Sequence, residues 1–429
     1  MRHDARVQAT VEILVAVIQS KRGADWTIQS QLRHRRYMGS RDRRDIKERL
    51  YGILHNWGGL CQRLGFEPTS LDIPTRLIVA LHLKLHEGVS PDNFYTGGPY
   101  APAALTAVEL ECLDRAGQPA VLPNWAYLNV PSWMLKLLMS EFGAQVVSVL
   151  SALNRQAPLD LRVLSSIERE AFLRECRLKQ IEAHEIDGTQ FGVRFARNYP
   201  VGKLPGARNE HYILQDAGSQ IVADVTARFA RERGARYVWD VCAGGGGKTI
   251  ALRDQLPDSV KIIASDIAPQ RLREARKRLN SLKIAGVQTQ LLDENWLRQD
   301  STSALPYSDF ALIDAPCSGS GAWRRAPFSR WRFSQQRFER ILETQRVMLD
   351  RVAAHLSVGS MLVYLTCSIL PQENQYQTQD FVKRHTNYRL VEHNLSCHFG
   401  SLSETYLVLR PDVSDTDGLF LAAFERVSA

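Results

Sequence analysis

Two short stretches in the C-terminal half place thiols and a carboxylate where buried strands are expected to end. Residues 314–319 read DAPCSG and residues 366–368 read TCS, and an apolar run directly precedes each of them. Open α/β sheets bind their ligands beyond the carboxyl ends of their strands, so we expect Cys317 and Cys367 to face one crevice. A pair of thiols beside a glycine-rich loop predicts covalent chemistry on an electrophilic substrate.

The glycine-rich loop spans residues 240–249, with the sequence DVCAGGGGKT, and leads from a predicted strand into a predicted helix. It is not a P-loop, because G-x-x-x-x-G-K-T requires glycine where Cys242 stands. It is not a dinucleotide fingerprint either, because G-x-G-x-x-G starting at Gly244 requires glycine where Thr249 stands. What remains is a flexible turn that lets a ligand approach the backbone at a helix N-terminus, which suits a nucleoside or a carboxylate.

Acidic residues end three consecutive predicted strands, at Asp240, Asp266 and Asp293. Asp266 stands where a carboxylate would accept hydrogen bonds from ribose hydroxyls, and Asp293 could meet an adenine amino group. One such residue is usually a turn former, but three in order predict a nucleoside site. We expect S-adenosylmethionine rather than NAD, because the loop lacks the pyrophosphate fingerprint and cysteines have no evident role in hydride transfer.

The elements that must position these residues predict a multidomain chain, since 429 residues exceed one ordinary domain. Apolar residues at helical spacing indicate helices over 6–18, 46–57, 77–85 and 133–142, with a loop over 88–102. Short mixed segments at 159–163 and 191–195 indicate a small α+β module. Alternating strands and helices from about residue 235 favour a parallel sheet.

The predicted strands of that sheet lie at 237–241, 261–265, 289–292, 310–313 and 361–365, with a long helix over 334–356 and a last strand over 418–426 that is antiparallel, at an edge. We therefore predict three domains: residues 1–125, which are helical, residues 126–207, which form the α+β module, and residues 208–429, which are α/β.

The formal net charge of +8 indicates an acidic macromolecular partner. Arginines cluster near the start of the chain and again directly after Cys317. A solvated face explains the first cluster as well as RNA contact does; the second adjoins the predicted site. The clusters are Arg33, Arg35, Arg36, Arg41, Arg43 and Arg44, and Arg324, Arg325, Arg330 and Arg332.

The seven cysteines, among them Cys397, form no C-x-x-C pair, which favours free thiols in a reducing cytosol and no metal site. No signal peptide is recognised, and no apolar run approaches the roughly 18–20 residues needed to span a bilayer. We expect a cytoplasmic monomer that binds no membrane.

Taken together, these motifs resemble the Nop/Sun-type RNA cytosine carbon-5 methyltransferases, and the bacterial Sun/RsmB branch acting on 16S rRNA looks closest. The family's D-x-C-A-x-x-G-G-K-T, D-A-P-C-S-G-x-G-x-x-R-R-x-P-x-x-x-W-R, T-C-S-x-x-x-x-E-N, Q-D-x-x-S and D-G-F-F patterns are matched, the last loosely, at 240–249, 314–332, 366–374, 215–219 and 417–420. Residues 39–44, together with Tyr51-Gly52, look like the helical, NusB-like RNA-binding extension of that bacterial branch. The chain departs from the family at Gly244-Gly245 (often Ala-Pro), Phe328 (often Asp) and Gln375 (often Glu).

The resemblance implies an all-α NusB-like domain, a small α+β module and a Rossmann-like class I methyltransferase domain. It implies that Cys367 attacks carbon 6 of cytosine, that Cys317 assists product release, and that Asp314 and Lys248 contact the base. The implied cofactor contacts are Cys242, Ala243, Gly244, Gly245, Gly246, Gly247, Lys248, Asp266, Arg271, Asp293 and Asp314. The implied RNA contacts are Arg41, Arg43, Arg44, Arg324, Arg325, Trp331 and Arg332.

Several alternatives remain open. The roles of Cys317 and Cys367 could be exchanged, because DNA cytosine methyltransferases use a Pro-Cys thiol as the nucleophile, or both could be small buried hydrophobes. The RNA could be tRNA instead of rRNA. The chain could also be a ribosome-assembly factor whose methyltransferase domain is inactive.

Overall fold

The computed structural model describes residues 1–196, 199–206, 211–298, 304–392 and 404–428. Cys397 and the predicted boundary at residue 207 therefore lie outside the described residues. The chain forms two compact units. One contains residues 1–155 and 323–335, here called the helical unit; the other contains residues 156–322 and 336–429, here called the sheet unit. The division into domains 1–125, 126–207 and 208–429 stays a prediction.

The helical unit confirms the helices predicted from apolar spacing, and the predicted helix over 46–57 is split by a break at Asn56. Its helices are α1 His3–Gln19, α2 Ala24–His34, α3 Ser40–His55, α4 Trp57–Leu64, α5 Thr75–His86, α6 Ala107–Gly117, α7 Asn124–Tyr127, α8 Ser132–Phe142 and α9 Val146–Leu153. The predicted loop over 88–102 contains one short 3-10 turn at Pro91–Asn93. Val7, Leu14 and Leu50 are among the apolar residues that repeat at helical spacing, and they are buried in the core of this unit.

Within the described residues, one stretch, Ser132–Leu153, is long and apolar enough to cross a membrane by length and composition alone. The sequence-based expectation that no run approaches this length was therefore too strict. The stretch consists of α8, a 3-10 turn at Gly143–Gln145 and α9, and 33% of the apolar window is buried in the protein. Core helices of soluble proteins pass the same test, so this is weak support for a membrane span.

The sheet unit begins with a small antiparallel sheet in the order β2-β3-β1-β4, which confirms the predicted α+β module. Its elements are β1 Leu159–Val163, α10 Arg169–Leu178, β2 Ala183–Glu185, β3 Gly192–Phe195 and β4 Tyr212–Leu214. Leu161 lies opposite Val193 in the register of β1 and β3. Both side chains are fully buried, and they pack in a small core that includes Phe172 from α10.

The large sheet of this unit has the order β10-β12-β9-β8-β5-β6-β7 in the described residues, with β11 also paired to β12. Its elements are α11 Ala217–Glu232, β5 Tyr237–Asp240, α12 Gly247–Gln255, β6 Lys261–Asp266, α13 Pro269–Ser281, β7 Val287–Leu291, β8 Phe310–Asp314, α14 Gln335–His355, β9 Met361–Thr366, α15 Gln375–Arg384, β10 Tyr388–Val391, β11 Tyr406–Leu409, α16 Pro411–Ser414 and β12 Leu419–Arg426. The five neighbouring strands β9, β8, β5, β6 and β7 are parallel, as predicted.

The last strand, β12, is antiparallel as predicted but does not lie at an edge. It pairs with β9 on one side and with β10 and β11 on the other. The reason is its composition: residues 419–424 are all apolar and all buried, so the strand needs cover from neighbours as well as from both layers.

Candidate active site

The two cysteine loops follow neighbouring parallel strands. β8 and β9 are paired up to Asp314 and Leu365, and each chain then leaves the sheet at the same edge. This brings Sγ of Cys317 within 3.3 Å of Sγ of Cys367, with both side chains half-buried. The prediction that the two thiols share one crevice is confirmed.

The surroundings of Cys317 favour the protonated form of its thiol. The pKa of Cys317 is raised well above its ordinary value, first by its hydrogen bond to Cys367 and then by burial and the negative charges nearby. These effects favour the protonated form of Cys317, and a protonated thiol can donate to the sulfur beside it. The assignment of Cys367 as the nucleophile stays a prediction.

A half-buried ion pair lies beside the thiols. Nζ of Lys248, in the first turn of α12, donates a hydrogen bond of 2.7 Å to Oδ2 of Asp314 at the end of β8. Burial alone would lower the pKa of Lys248, but the attraction of Asp314, with smaller contributions from Cys367 and Asp240, raises it. The lysine therefore stays charged and supplies the positive potential that a thiolate needs.

The glycine loop between β5 and α12 turns through residues with left-handed backbone angles. Gly244 has φ +55° and Gly246 has φ +78°, and a Cβ at Gly246 would lie 3.1 Å from Cβ of Ala275. The backbone N–H of Gly244 donates to Oδ2 of Asp266 at 3.0 Å, and Arg278 donates to the carbonyl of Gly245 at 2.8 Å. The loop is thus fixed from β6 and α13, and its half-exposed backbone can be approached by a ligand.

The three acidic strand ends differ in what they contact. Asp240 is fully buried and accepts a hydrogen bond of 2.6 Å from the hydroxyl of Thr249, so it links the end of β5 to the first turn of α12 on the two sides of the loop. Asp266 is buried and also accepts from the N–H of Ala268 at 2.8 Å, while each of its oxygens keeps a second lone pair for a ribose. Asp293 is exposed and accepts from the N–H of Asn295 at 2.7 Å.

The remaining predicted cofactor contacts lie around the same loop. The Cys242 thiol is half-buried, lies 3.6 Å from the sulfur of Met348, and has a pKa raised by burial. The backbone N–H of Ala243 donates to the carbonyl of Ser265 at 2.8 Å. Gly247 begins α12, and Arg271 is exposed on α13. The partly exposed loop backbone and the carboxylate of Asp266 fit S-adenosylmethionine.

The second arginine cluster is largely buried rather than exposed to solvent. Residues 323–335 belong to the helical unit, where Trp331 packs on Gly58 and edge-to-face on Trp125. Arg332 donates to the carbonyls of Val17 and Arg22. Trp331 is only 5% exposed, so its predicted contact with RNA is corrected to a structural role.

Neighbouring residues of this segment are also buried or half-buried. Arg324 is 3% exposed, which corrects its prediction too, and Arg325 is half-buried. Arg330 donates to the carbonyl of Asn129 at 2.7 Å, and burial lowers its pKa to about 9. Phe328, which departs from the family pattern, is buried edge-to-face against Trp57 at 5.2 Å. An apolar residue therefore suits that position in this chain.

The N-terminal arginines lie on α3. Arg41 and Arg44 are exposed, as RNA contact requires, whereas Arg43 is half-buried and donates to the carbonyl of Arg35. In the described residues no cluster of three His, Cys, Asp or Glu side chains could hold a metal ion.

Sequence reasoning missed the side chains that support the two cysteine loops. They are Glu373, Ser318, Ser320, Ser368 and Gln345. Glu373 was within reach, since it belongs to the matched T-C-S-x-x-x-x-E-N motif and lies six residues after Cys367. Gln345 lies in the middle of α14 and carries no local signal.

The sheet is mainly parallel, a glycine loop follows β5, and paired thiols follow the carboxyl ends of β8 and β9. Together these features define a Rossmann-like domain of the methyltransferase class. Residues 230–425 match the family model described as 16S rRNA methyltransferase RsmB/F, and residues 130–202 match a ferredoxin-like domain described as Methyltr_RsmF/B-like. Through these residues the chain belongs to the RsmB/F family.

Individual proteins agree with this assignment. Ribosomal RNA small subunit methyltransferase B of Erwinia tasmaniensis is 30% identical over 299 residues, which are 69% of this chain and 66% of the relative. The crystal structure of PH0851 superposes with TM-score 0.78 at 19% identity over 99% of both chains. NSun6 from Pyrococcus horikoshii with SFG gives TM-score 0.61 at 17% identity over 70% of this chain and 99% of that one. Both structures show likeness of fold, and the chain spans about two thirds of the Erwinia relative.

Proposed function

We propose that this chain is an RNA cytosine carbon-5 methyltransferase that uses S-adenosylmethionine and acts on small-subunit (16S) ribosomal RNA in the cytoplasm. The observation that carries the proposal is the contact between the Cys317 and Cys367 sulfurs, 3.3 Å apart, beside the Lys248–Asp314 ion pair. The Erwinia relative is named for ribosomal RNA of the small subunit, which supports the substrate.

Carbon 5 of cytosine is a weak nucleophile, and the two thiols answer that difficulty. The thiolate of Cys367 forms a bond to carbon 6, and the electron pair of the 5,6 double bond then becomes available at carbon 5. After carbon 5 is methylated, a base removes its proton, the carbon–sulfur bond breaks, and the double bond returns. This divides one difficult step into two easier ones.

The other side chains of the site position the reacting groups and neutralise charge. Cys317 holds its proton against Cys367 and can return it to that sulfur as the product leaves. Asp314 accepts from Lys248 and would bind the edge of cytosine around nitrogen 3. Bound S-adenosylmethionine supplies the methyl group, held by the loop 242–247, Lys248, Asp266, Arg271, Asp293 and Asp314. The pocket requires an unpaired or flipped cytosine.

RNA affinity comes mainly from phosphate contacts on the basic helical unit, with Arg41 and Arg44 on its exposed surface. Binding should weaken steeply with salt. Replacing both residues with glutamine should reduce affinity and flatten the salt dependence by about two ion contacts. An unchanged salt slope would contradict this part of the proposal.

Bisulfite sequencing of total RNA, from cells with and without the gene, tests the function. We expect one or a few cytosines of small-subunit rRNA to lose methylation without the gene. Loss at a tRNA position would identify a tRNA enzyme. No change anywhere, together with no binding of S-adenosylmethionine in a titration, would leave an assembly factor.

Trapping on RNA containing 5-azacytidine tests the roles of the thiols. The covalent adduct should form with Cys317→Ala and be lost with Cys367→Ala. An adduct that survives Cys367→Ala but not Cys317→Ala would reverse the assignment.

A further inference from the structure

The carboxylate of Glu373 lies between the two cysteine loops and is fully buried. One oxygen accepts hydrogen bonds from the backbone N–H of Ser318 at 2.7 Å and from Nε2 of Gln345 at 3.2 Å. The other oxygen accepts from the hydroxyls of Ser318 and Ser368. Each of these serines directly follows one of the two cysteines, so a single carboxylate holds the residues next to both thiols.

The hydrogen bonds around Glu373 favour its ionised form against the effect of burial, which leaves its pKa above the ordinary value. Four donors from the described residues face its two oxygens, and a protonated carboxyl would direct an O–H against one of them. Burial raises the pKa of Glu373, while the bonds from Ser318, Ser368 and Gln345 oppose that shift. Charge-assisted hydrogen bonds of this kind are about twice as strong as neutral ones.

These bonds matter because regular strand pairing ends before the cysteines do. The register of β8 and β9 stops at Asp314 and Leu365. Beyond that point the described residues of the two segments are joined by side chains and by two backbone bonds. The N–H of Ala315 donates to the carbonyl of Leu365 at 2.9 Å, and the N–H of Gly321 donates to the carbonyl of Cys367 at 3.0 Å. The position of one sulfur relative to the other is therefore set by the loop contacts.

We propose that Glu373 is a positioning residue that ties the loop after β8 to the loop after β9 and keeps the sulfurs of Cys317 and Cys367 in contact. The inference rests on the proposed function for its purpose but not for its geometry. The same negative charge adds to the effects of the Cys367 hydrogen bond and of burial in raising the pKa of Cys317. Glu373 thus helps Cys317 to keep its proton.

Alkylation of the full chain tests the charge. Glu373→Gln keeps the shape and removes the charge. In iodoacetamide labelling from about pH 7 to about pH 11, followed by peptide mass spectrometry, the midpoint for Cys317 should shift to lower pH, because one of the negative charges that raise its pKa is removed. Asp160→Asn is the matched control, because Asp160 is also a buried carboxylate and accepts bonds from Arg194 and from the N–H of Ala217. It should leave the midpoint unchanged.

Oxidation by diamide tests whether Glu373 keeps the sulfurs of Cys317 and Cys367 in contact. The two thiols each lose a proton and together two electrons to the diazene, which becomes a hydrazine, and a Cys317–Cys367 disulfide forms. Glu373→Gln should slow this reaction about tenfold or more, since proximity is lost. Ser368→Ala keeps the charge and breaks one bond, so it should slow the disulfide without moving the alkylation midpoint.

The inference would be overturned if Glu373→Gln had the alkylation midpoint of the natural protein and if both Glu373→Gln and Ser368→Ala formed the disulfide within about twofold of its rate. A Glu373→Gln variant that fails to fold leaves Ser368→Ala to decide it. Neither measurement needs RNA or cofactor, so a failure of rRNA methylation would refute the proposed function alone.

Discussion

The buried carboxyl of Asp240 should make the stability of the sheet unit depend on pH in an unusual direction. Asp240 is fully buried at the end of β5, where Oδ2 accepts from Thr249 and Oδ1 has no hydrogen-bond partner among the described residues. Burial, with smaller contributions from Asp314 and Asp266, raises its pKa from 3.8 to about 7. The folded state therefore holds a proton that the unfolded state releases.

The sign and size follow from this difference. Stability from a group with a raised folded pKa is fully present below pH 3.8 and is lost as pH rises towards about 7. The interval corresponds to about 4 kcal/mol at 1.36 kcal/mol per unit. Asp240→Asn is neutral at every pH, so it should gain stability relative to the natural protein by about 3 kcal/mol between about pH 5 and about pH 8.

Urea unfolding at several pH values measures this effect, with a short pulse of hydrogen–deuterium exchange at one common pH to report the peptide containing β5. A local probe is needed because a chain of two units need not unfold in one step. If the difference between Asp240→Asn and the natural protein stays constant with pH, the carboxyl titrates normally in the folded state and the reasoning is wrong.

Three further substitutions test the packing and the ion pair. Trp331→Ala should destabilise the helical unit by about 3–5 kcal/mol in urea unfolding, since it empties a buried core position. Gly321→Ala should cost about 3 kcal/mol or more in the same assay, because a Cβ there would lie 1.9 Å from the carbonyl oxygen of Gly418. Lys248→Met should reduce single-turnover methyl transfer about a hundredfold or more, because Asp314 loses the ammonium that holds it.

Matched controls separate these effects from mutation in general. Trp26→Ala removes a tryptophan that is 49% exposed, and Gly202→Ala adds a methyl group where no atom lies within 4 Å. Both should change stability by less than about 1 kcal/mol. Lys261→Met removes an exposed lysine at the start of β6 and should leave methyl transfer within about twofold. Controls as damaging as their partners would refute the corresponding explanation.

The alternating pattern of the C-terminal half was enough to predict the parallel strands, because strands buried on both faces have a composition that few other elements share. The same pattern did not predict which strands flank β12 in the sheet. An apolar run shows that a strand is covered, but it does not say which strands provide the cover, and in this chain β9, β10 and β11 do so.

Local motifs were enough to predict the candidate site, because the thiols of Cys317 and Cys367, the carboxylate of Asp314 and the amine of Lys248 stand at or near the ends of predicted strands. Only the folded structure shows that Trp331 and Arg324 are buried, and that Glu373 binds Ser318, which lies 55 residues earlier in the chain. The physical reason is that charge and residue type are local properties, whereas burial and hydrogen-bond partners depend on which distant segments the folded chain brings together.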